Sequence, residues 1–571
     1  MSKKRSATIL IISLCTLFLL VFIQRFPGRN ENDRFEKYTS ALFKEEVSSN
    51  TISLHYTLKN PDAYDIHDAP VSLGYFPTDT DAMCASYENA LALLHSYDKK
   101  KLSGKNRLTY DVLEHSLELS LKEAPYTLYD EPLAPLTGIQ SQLPVLLSEY
   151  RFYNTGDCDT YLELLAQIPE YFHSVIEFER AKSNAGLFMA SYNADALIKE
   201  CEAFVQMGNT NYLYSSFEER IKELGLSEQE AKHYTDENNS YIENYVFPSY
   251  RELITALNEL RETGKNNNGL CYLPEGRKYY ELSVKAQTGS SRSIPDLQAL
   301  TLSQMAEDSA ALKEVLVSSG NTQVTTVLDS KPEDILNSLK SSISGLFPEP
   351  PKVDTKIKYV QKEMEEYLSP AFYMIPAIDD TKNNVIYINE GHMPDSLTLF
   401  TTLAHEGYPG HLYQTVYYSS TNPDPLRNLL SFGGYTEGWA TYCEMLSYYF
   451  SALPKDQAAM MQHNSSIILG LYALADIGIH YDGWTLLDTV AFFRDYGITD
   501  NSTIEEIYNL IIGDPGNYLK YYIGYVEFLE LKKDAVEAWG EDFSQEKFHK
   551  KILETGPAPF DILRKNMLGT E

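Results

Sequence analysis

Apolar residues recur along most of this chain with the period of an α-helix. In DTYLELLAQIPEYFHSVIEFERA, Tyr161, Leu165, Ile168, Phe172 and Val175 follow one another at alternating steps of four and three, one face of a helix. Pro169 falls inside that stretch and is expected to kink it. NRLTYDVLEHSLELSLKEA repeats the pattern with Leu113, Leu117 and Leu121. Such stripes read as core and carry no chemistry. The pattern stops at GLFPEPPK, residues 345 to 352, where three prolines and a glycine cannot continue a helix. This stretch is the expected boundary between a helical N-terminal lobe, 31–345, and a second lobe, 346–571. Beyond it, AFYMIPAIDDTKNNVIYINEG holds two β-prone runs around the turn-forming Asp379, Asp380, Asn383 and Asn384, a predicted hairpin. MPDSLTLFTTLAHE then opens a helix, with Asp395 or Ser396 as its N-cap.

Length and charge narrow the picture. A chain of 571 residues exceeds one core of ordinary size. Acidic residues outnumber basic ones by 80 to 48, a formal charge of −32, which disfavours nucleic acid and anionic lipid surfaces as partners. The first 30 residues stand apart: Lys3, Lys4 and Arg5 precede an uncharged, mostly apolar run from Ala7 to Ile23. At helical rise that run reaches about 25 Å, the short end of a membrane span. Gln24, Arg25 and Phe26 follow it in place of the small residues of a cleavage site, so it reads as an uncleaved single-pass anchor with the body outside the cytoplasm. Secretion after signal cleavage is the alternative. Cys84, Cys158, Cys201, Cys271 and Cys443 match no zinc knuckle or C-x-x-C pair; an exported location permits one or two disulfides among them.

The candidate chemistry lies in HEGYPGH, residues 405 to 411. A hydrolytic zinc site needs three protein ligands, an open position for water and a carboxylate to take the water's proton. His405 and His411 offer two ligands and Glu406 the base. The spacing is unusual, because six residues on an ideal helix leave His411 about 120° from the face of His405. Pro409 cannot donate to the carbonyl of residue 405 and Gly410 takes unusual dihedrals, so a break at YPG is expected to turn His411 back toward the metal. Without such a break the two histidines are an ordinary surface pair. GGYTEGWATYCEML supplies Glu437 and Glu444, seven residues apart and nearly on one helical face; one can bind metal while the other holds a ligand histidine by its second ring nitrogen.

Four ordered blocks, AHEGYPGHLYQ, YTEGWATYCE, ADIGIHYDGW and GDPGNYLKYYIGYVEFLELKKDA, resemble the domain of unknown function 885 family, bacterial proteins grouped with the zincin peptidases. The likeness is specific from about residue 355 to 565 and diffuse before it. It implies a mainly α, two-lobed, zincin-like fold with a small β-hairpin or sheet beside the active-site helix. It implies His405, His411 and Glu437 as ligands of one Zn2+, Glu406 as general base and Glu444 behind the ligands. It also implies inward-facing Asp476 and His480, with His480 donating to a substrate carbonyl or a developing oxyanion, and Tyr521 stabilising the tetrahedral intermediate. Each of these last three reads equally as a satisfied core polar residue. Tyr472 stands where the family often has an arginine, which puts an ion pair with Asp476 in doubt.

The function these residues imply is that of an exported zinc metallopeptidase acting on oligopeptides. The strand residues Ile386, Tyr387, Ile388 and Asn389 are expected to align the substrate as an added strand. A catalytically silent peptide-binding or scaffold protein, and a metal-dependent hydrolase of a non-peptide amide or ester, are the alternatives.

Overall fold

The four-and-three stripe does form a helix, Thr155–Ala185, with Asn154 and Asp157 closing a capping box at its start and Gly186 in the left-handed conformation at its end. All five stripe residues are buried, and Pro169 sits inside the helix without ending it. Leu113 and Leu117 are buried on the helix Gly104–Glu123, where Leu121 is half-buried. This computed structural model describes residues 28–569, apart from 68, 136, 320–330, 361, 363, 364, 366–368, 393 and 394. The expected membrane anchor lies outside the described residues. Among the described residues no helix is long and apolar enough to cross a membrane. The five cysteines from Cys84 to Cys443 are free thiols.

The fold is mainly helical, with one three-stranded sheet of β1 (Asp354–Tyr359), β2 (Ala371–Met374) and β3 (Asn383–Ile388) in the order β1-β3-β2. The predicted hairpin is β2 and β3, antiparallel with Tyr373 opposite Ile386. The third strand, β1, pairs parallel to β3 with Ile357 opposite Ile386. That pairing corrects the expectation for Ile386, Tyr387, Ile388 and Asn389. Strand β3 is central and bonded on both sides, and Asn389 donates its amide to Pro370 O, so this run has no free edge for a substrate strand. Tyr387 is also tied by its hydroxyl to Glu149.

Two hydrophobic clusters fill the interior, and each draws residues from both sides of residue 345. One joins Phe35, Leu113 and Tyr280 to Tyr413, Trp439 and Phe528. The other joins the Thr155–Ala185 face to Phe372, Met374, Val385 and Tyr387 of the sheet.

Six helices build or brace the site: α1 (Gly276–Thr288), α2 (Ser396–Glu406), α3 (His411–Ser420), α4 (Gly433–Ser447), α5 (Lys455–Ile477) and α6 (Asn517–Trp539). Asp395 caps α2, accepting from the amides of Leu397 and Thr398 at 2.9 Å. Helices α4 and α6 cross at glycines. A Cβ on Gly438 would stand 2.4 Å from the carbonyl carbon of Gly524, so only hydrogen fits between the two backbones. This close approach draws the start of α6 toward the turn of α4 that carries Glu437.

Candidate metal centre

The chain leaves the α-helix within HEGYPGH. Helix α2 ends at Glu406, residues 407 to 410 form an irregular turn, and α3 begins at His411. The Tyr408–Pro409 peptide is cis. Gly410 adopts φ −77° and ψ −134°, and its amide donates to Ala404 O at 3.0 Å. A Cβ there would stand 1.8 Å from His405 O, so the turn closes only around a glycine. The Pro409 carbonyl, lost to any helix, accepts from Trp439 Nε1 at 2.9 Å and Cys443 Sγ at 3.4 Å. Trp439 and Cys443 are one turn apart on α4, between Glu437 and Glu444, so one helix both braces the break and supplies the carboxylates.

The break brings His411 back to His405. One ligand atom each from His405, His411 and Glu437 lie within 4.8 Å of one another. Glu437 Oε2 is 3.7 Å from His405 Nε2 and 3.4 Å from His411 Nε2. Tetrahedral zinc with ligands at about 2.1 Å sets ligand atoms about 3.4 Å apart. The two contacts to Glu437 come close to that spacing, and the widest separation in the group is looser. Nε2 of His411 is buried and makes no hydrogen bond, an orphaned donor-acceptor atom of the kind a cation satisfies. Nδ1 of His405 lies 3.1 Å from Glu444 Oε2, a bond that puts the proton on Nδ1 and leaves Nε2 as a lone-pair ligand. Two imidazoles and one carboxylate are a zinc donor set, and they fit the ion.

Electrostatics bind the group together. Burial pushes the Glu437 carboxyl upward, but His411 and His405 outweigh it and hold the group well below the ordinary carboxylate range. Burial opposes the charged form of His411, and the carboxylates of Glu437 and Glu406 more than offset it, so its pKa lies above the usual histidine value.

Glu406, one residue past the first ligand, is buried, and its Oε2 accepts the Tyr373 amide at 3.0 Å. Tyr373 lies on β2, so the strand edge next to the site is that of β2. The Tyr521 ring centre is 6.5 Å from that of His405, at an interplanar angle of 31°.

Two expected residues do not join this group. His480 lies on the far end of α5's continuation, where Nδ1 accepts the Leu270 amide at 3.1 Å and Nε2 donates to Ile511 O at 2.9 Å. Burial lowers its pKa to about 4. Both ring nitrogens are engaged, and the crevice that His480 lines with Glu131, Asn193, Asn266 and Asn268 contains no metal-site residue. Neither ring nitrogen of His480 is left to donate to a substrate carbonyl or an oxyanion. Asp476 accepts from Tyr280 Oη at 2.6 Å and from the Gly516 amide at 3.0 Å, and contacts neither ligand histidine. Burial raises its carboxyl to about 8. From α5 it holds Gly516, the residue that precedes α6 and stands four residues before Lys520 and five before Tyr521, and so fixes the turn from which that helix departs. Tyr472, at the family's arginine position, stacks on Tyr518 at 4.9 Å, so an aromatic pair fills that space.

Sequence patterning overlooked Tyr373, Trp439 and Cys443. Trp439 and Cys443 stand inside the E-G-W-A-x-Y-x-E block, and a one-turn spacing facing an irregular segment is the signal that marks them.

A family model described as bacterial protein of unknown function, DUF885, matches residues 75–567. In structure the chain is similar to a protein from Colwellia psychrerythraea provisionally described as a lipoprotein, at 18% identity and a TM-score of 0.79, over 93% of this chain and 98% of that one. It is also similar to a protein from Shewanella oneidensis, provisionally described as a lipoprotein of unknown function, at 16% identity and a TM-score of 0.64, over 93% and 99%. Both likenesses show the fold alone. Metallocarboxypeptidase 1 of Trypanosoma cruzi, at 11% identity and a TM-score of 0.40 over 94% and 95% of the two chains, carries no argument. No curated protein sequence matches the chain.

Proposed function

Because the chain belongs to the DUF885 family of bacterial proteins of unknown function, we propose its activity from the site itself: a zinc-dependent metallopeptidase that hydrolyses peptide bonds of oligopeptides. The observation that carries this reading is the convergence of His405, His411 and Glu437 beside the buried carboxylate of Glu406. Zinc held by those three residues supplies a Lewis acid and brings the pKa of a bound water toward neutrality. Glu406 takes the proton of the attacking water and returns it to the leaving amine, the two transfers that peptide hydrolysis requires. The Tyr373 amide keeps the Glu406 carboxylate on the site side of β2. Glu444 fixes the ring plane and tautomer of His405. Tyr521 donates its hydroxyl to the oxyanion that develops on the scissile carbonyl. In this reading the basic-flanked apolar segment around Ala7 to Ile23 exports the protein and holds it at the membrane.

The test is metal content followed by turnover. Wild-type protein is expected to carry about one zinc per chain and to cleave members of a diverse peptide library. Glu437→Ala is expected to lose the metal, and Glu406→Gln to keep it and cleave nothing. Zinc-replete wild type that leaves the whole library intact overturns the peptidase reading in favour of a silent binder or a hydrolase of another bond.

A further inference from the structure

Next to Tyr521 stands a cation without a counter-charge. Lys520 Nζ lies 5.5 Å from the centre of the Tyr521 ring, and among the described residues Lys520 makes no ion pair and no hydrogen bond. Its stem is confined: a Cβ on Gly433, at the start of α4, would meet Lys520 Cβ at 3.3 Å and Cδ at 3.4 Å. The side chain is thus held in the seam between α6 and α4, one turn from Glu437 on one side and next to Tyr521 on the other.

In a chain of net charge −32, a half-buried lysine has carboxylates available at little cost. Elsewhere in this molecule they are used, as in Lys182 with Glu131 and Lys533 with Glu530. Beside Tyr521, among the described residues, Lys520 is offered none. We propose that Lys520 is a specificity-determining residue that anchors a carboxylate of the substrate, so that the enzyme cuts near that carboxylate. The inference rests on the peptidase reading above.

Reach agrees with this role. The two ring distances bound the ammonium to no more than about 12 Å from the His405 ring, and an extended peptide advances about 3.3–3.6 Å per residue. A carboxylate up to roughly three residues beyond the scissile carbonyl can therefore meet Lys520 while that carbonyl faces Tyr521 and the histidines. The C-terminal carboxylate of a short peptide and the side chain of an acidic residue share this chemistry. A charge-assisted bond made to the carboxylate and lost with its amide separates the two ligands by tenfold or more in affinity, on the order expected for one such bond.

The experiment uses the full chain loaded with zinc and three versions of one peptide: the free acid, the C-terminal amide, and an amide with glutamate near the scissile bond. Wild type is expected to prefer the free acid over the plain amide by about tenfold or more in kcat/KM, carried in KM. Lys520→Met is expected to close that gap by raising KM on the acid, with zinc content and melting temperature as in wild type, and Lys520→Arg to restore it. Preference for the glutamate peptide identifies the side chain as the source of the carboxylate. Equal cleavage of acid and amide by wild type, or loss of both alike in Lys520→Met, overturns the proposal. Binding of the same peptides to zinc-loaded Glu406→Gln, by calorimetry, gives a readout without turnover. Acid-selective binding that disappears in Glu406→Gln with Lys520→Met supports the anchor even if wild type cleaves nothing, in which case the peptidase reading alone falls. Binding indifferent to the carboxylate overturns the anchor.

Discussion

Glu444 Oε2 lies 3.1 Å from Nδ1 of His405, and both side chains are buried. The bond fixes which nitrogen of His405 is free for metal, so its loss costs affinity without removing a ligand. Glu444→Ala is expected to weaken zinc binding by about 10- to 100-fold, measured by competition with a chelator of known affinity. Affinity equal to wild type would show that His405 is oriented by other contacts.

Tyr521 stands beside the His405 ring from α6, next to a ligand group made of His405, His411 and Glu437. Tyr521→Phe is therefore expected to keep the zinc and lose turnover, with kcat falling about 100-fold, the usual worth of one donor to an oxyanion. Steady-state kinetics beside metal analysis checks the split. A fall in zinc content matching the fall in kcat would make Tyr521 a structural neighbour only.

Gly410 closes the break around the His405 carbonyl. In Gly410→Ala the added carbon, placed 1.8 Å from that oxygen, forces the backbone between the two ligand histidines to move. The variant is expected to lose about 2 kcal/mol or more of stability and to bind zinc poorly, read from thermal melts with and without metal. A melt and zinc content like those of wild type contradict the tight turn.

Buried histidines set an acid limit. Burial lowers His480 to about 4, and His55 and His549 to about 3. In the unfolded chain such rings take a proton near pH 6.5. Between those limits the unfolded state binds more protons, so stability falls as pH falls from about 6.5 toward 4 and is fully present above that window. For His480 the loss is on the order of 3 kcal/mol. Denaturant midpoints across this range, with an NMR titration showing the His480 ring neutral above about pH 5, check it. A ring that protonates near 6.5 in the folded protein refutes it.

The helical stripes, the hairpin and the break at HEGYPGH were legible in the sequence because each depends on neighbours close in the chain. Tyr161 to Val175 share a face by period alone, and Pro409 with Gly410 weakens a helix locally, through a missing amide and a permissive backbone. Strand β1 was not legible. Its segment DTKIKY is lysine-rich and mostly exposed, as suits an edge, and its parallel partner begins about 30 residues later. That pairing displaced β3 from the edge and with it the expected substrate strand. The burial of His480 and Asp476 was readable in D-x-G-I-H, but their partners, Leu270, Ile511, Tyr280 and Gly516, come from two other regions of the chain. The bond from Tyr373 to Glu406 comes from a backbone amide, which no residue type announces. Lys520 stands inside the fourth block with no role assigned to it, and its lack of a counter-charge is visible only once its neighbours are known.

The carbonyl of Pro409, held by Trp439 and Cys443, gives α4 a further property. This helix carries a metal ligand, the partner of a second ligand and the two groups that brace the break leading to the third, all within residues 437 to 444. They serve together only because one helix fixes the angles between them. A single residue inserted after Trp439 would rotate Cys443 and Glu444 by about 100° relative to Glu437, breaking the hold on His405 while every side chain in the block remained. The block is therefore a ruler as much as a set of ligands, and its length is the quantity the site cannot lose.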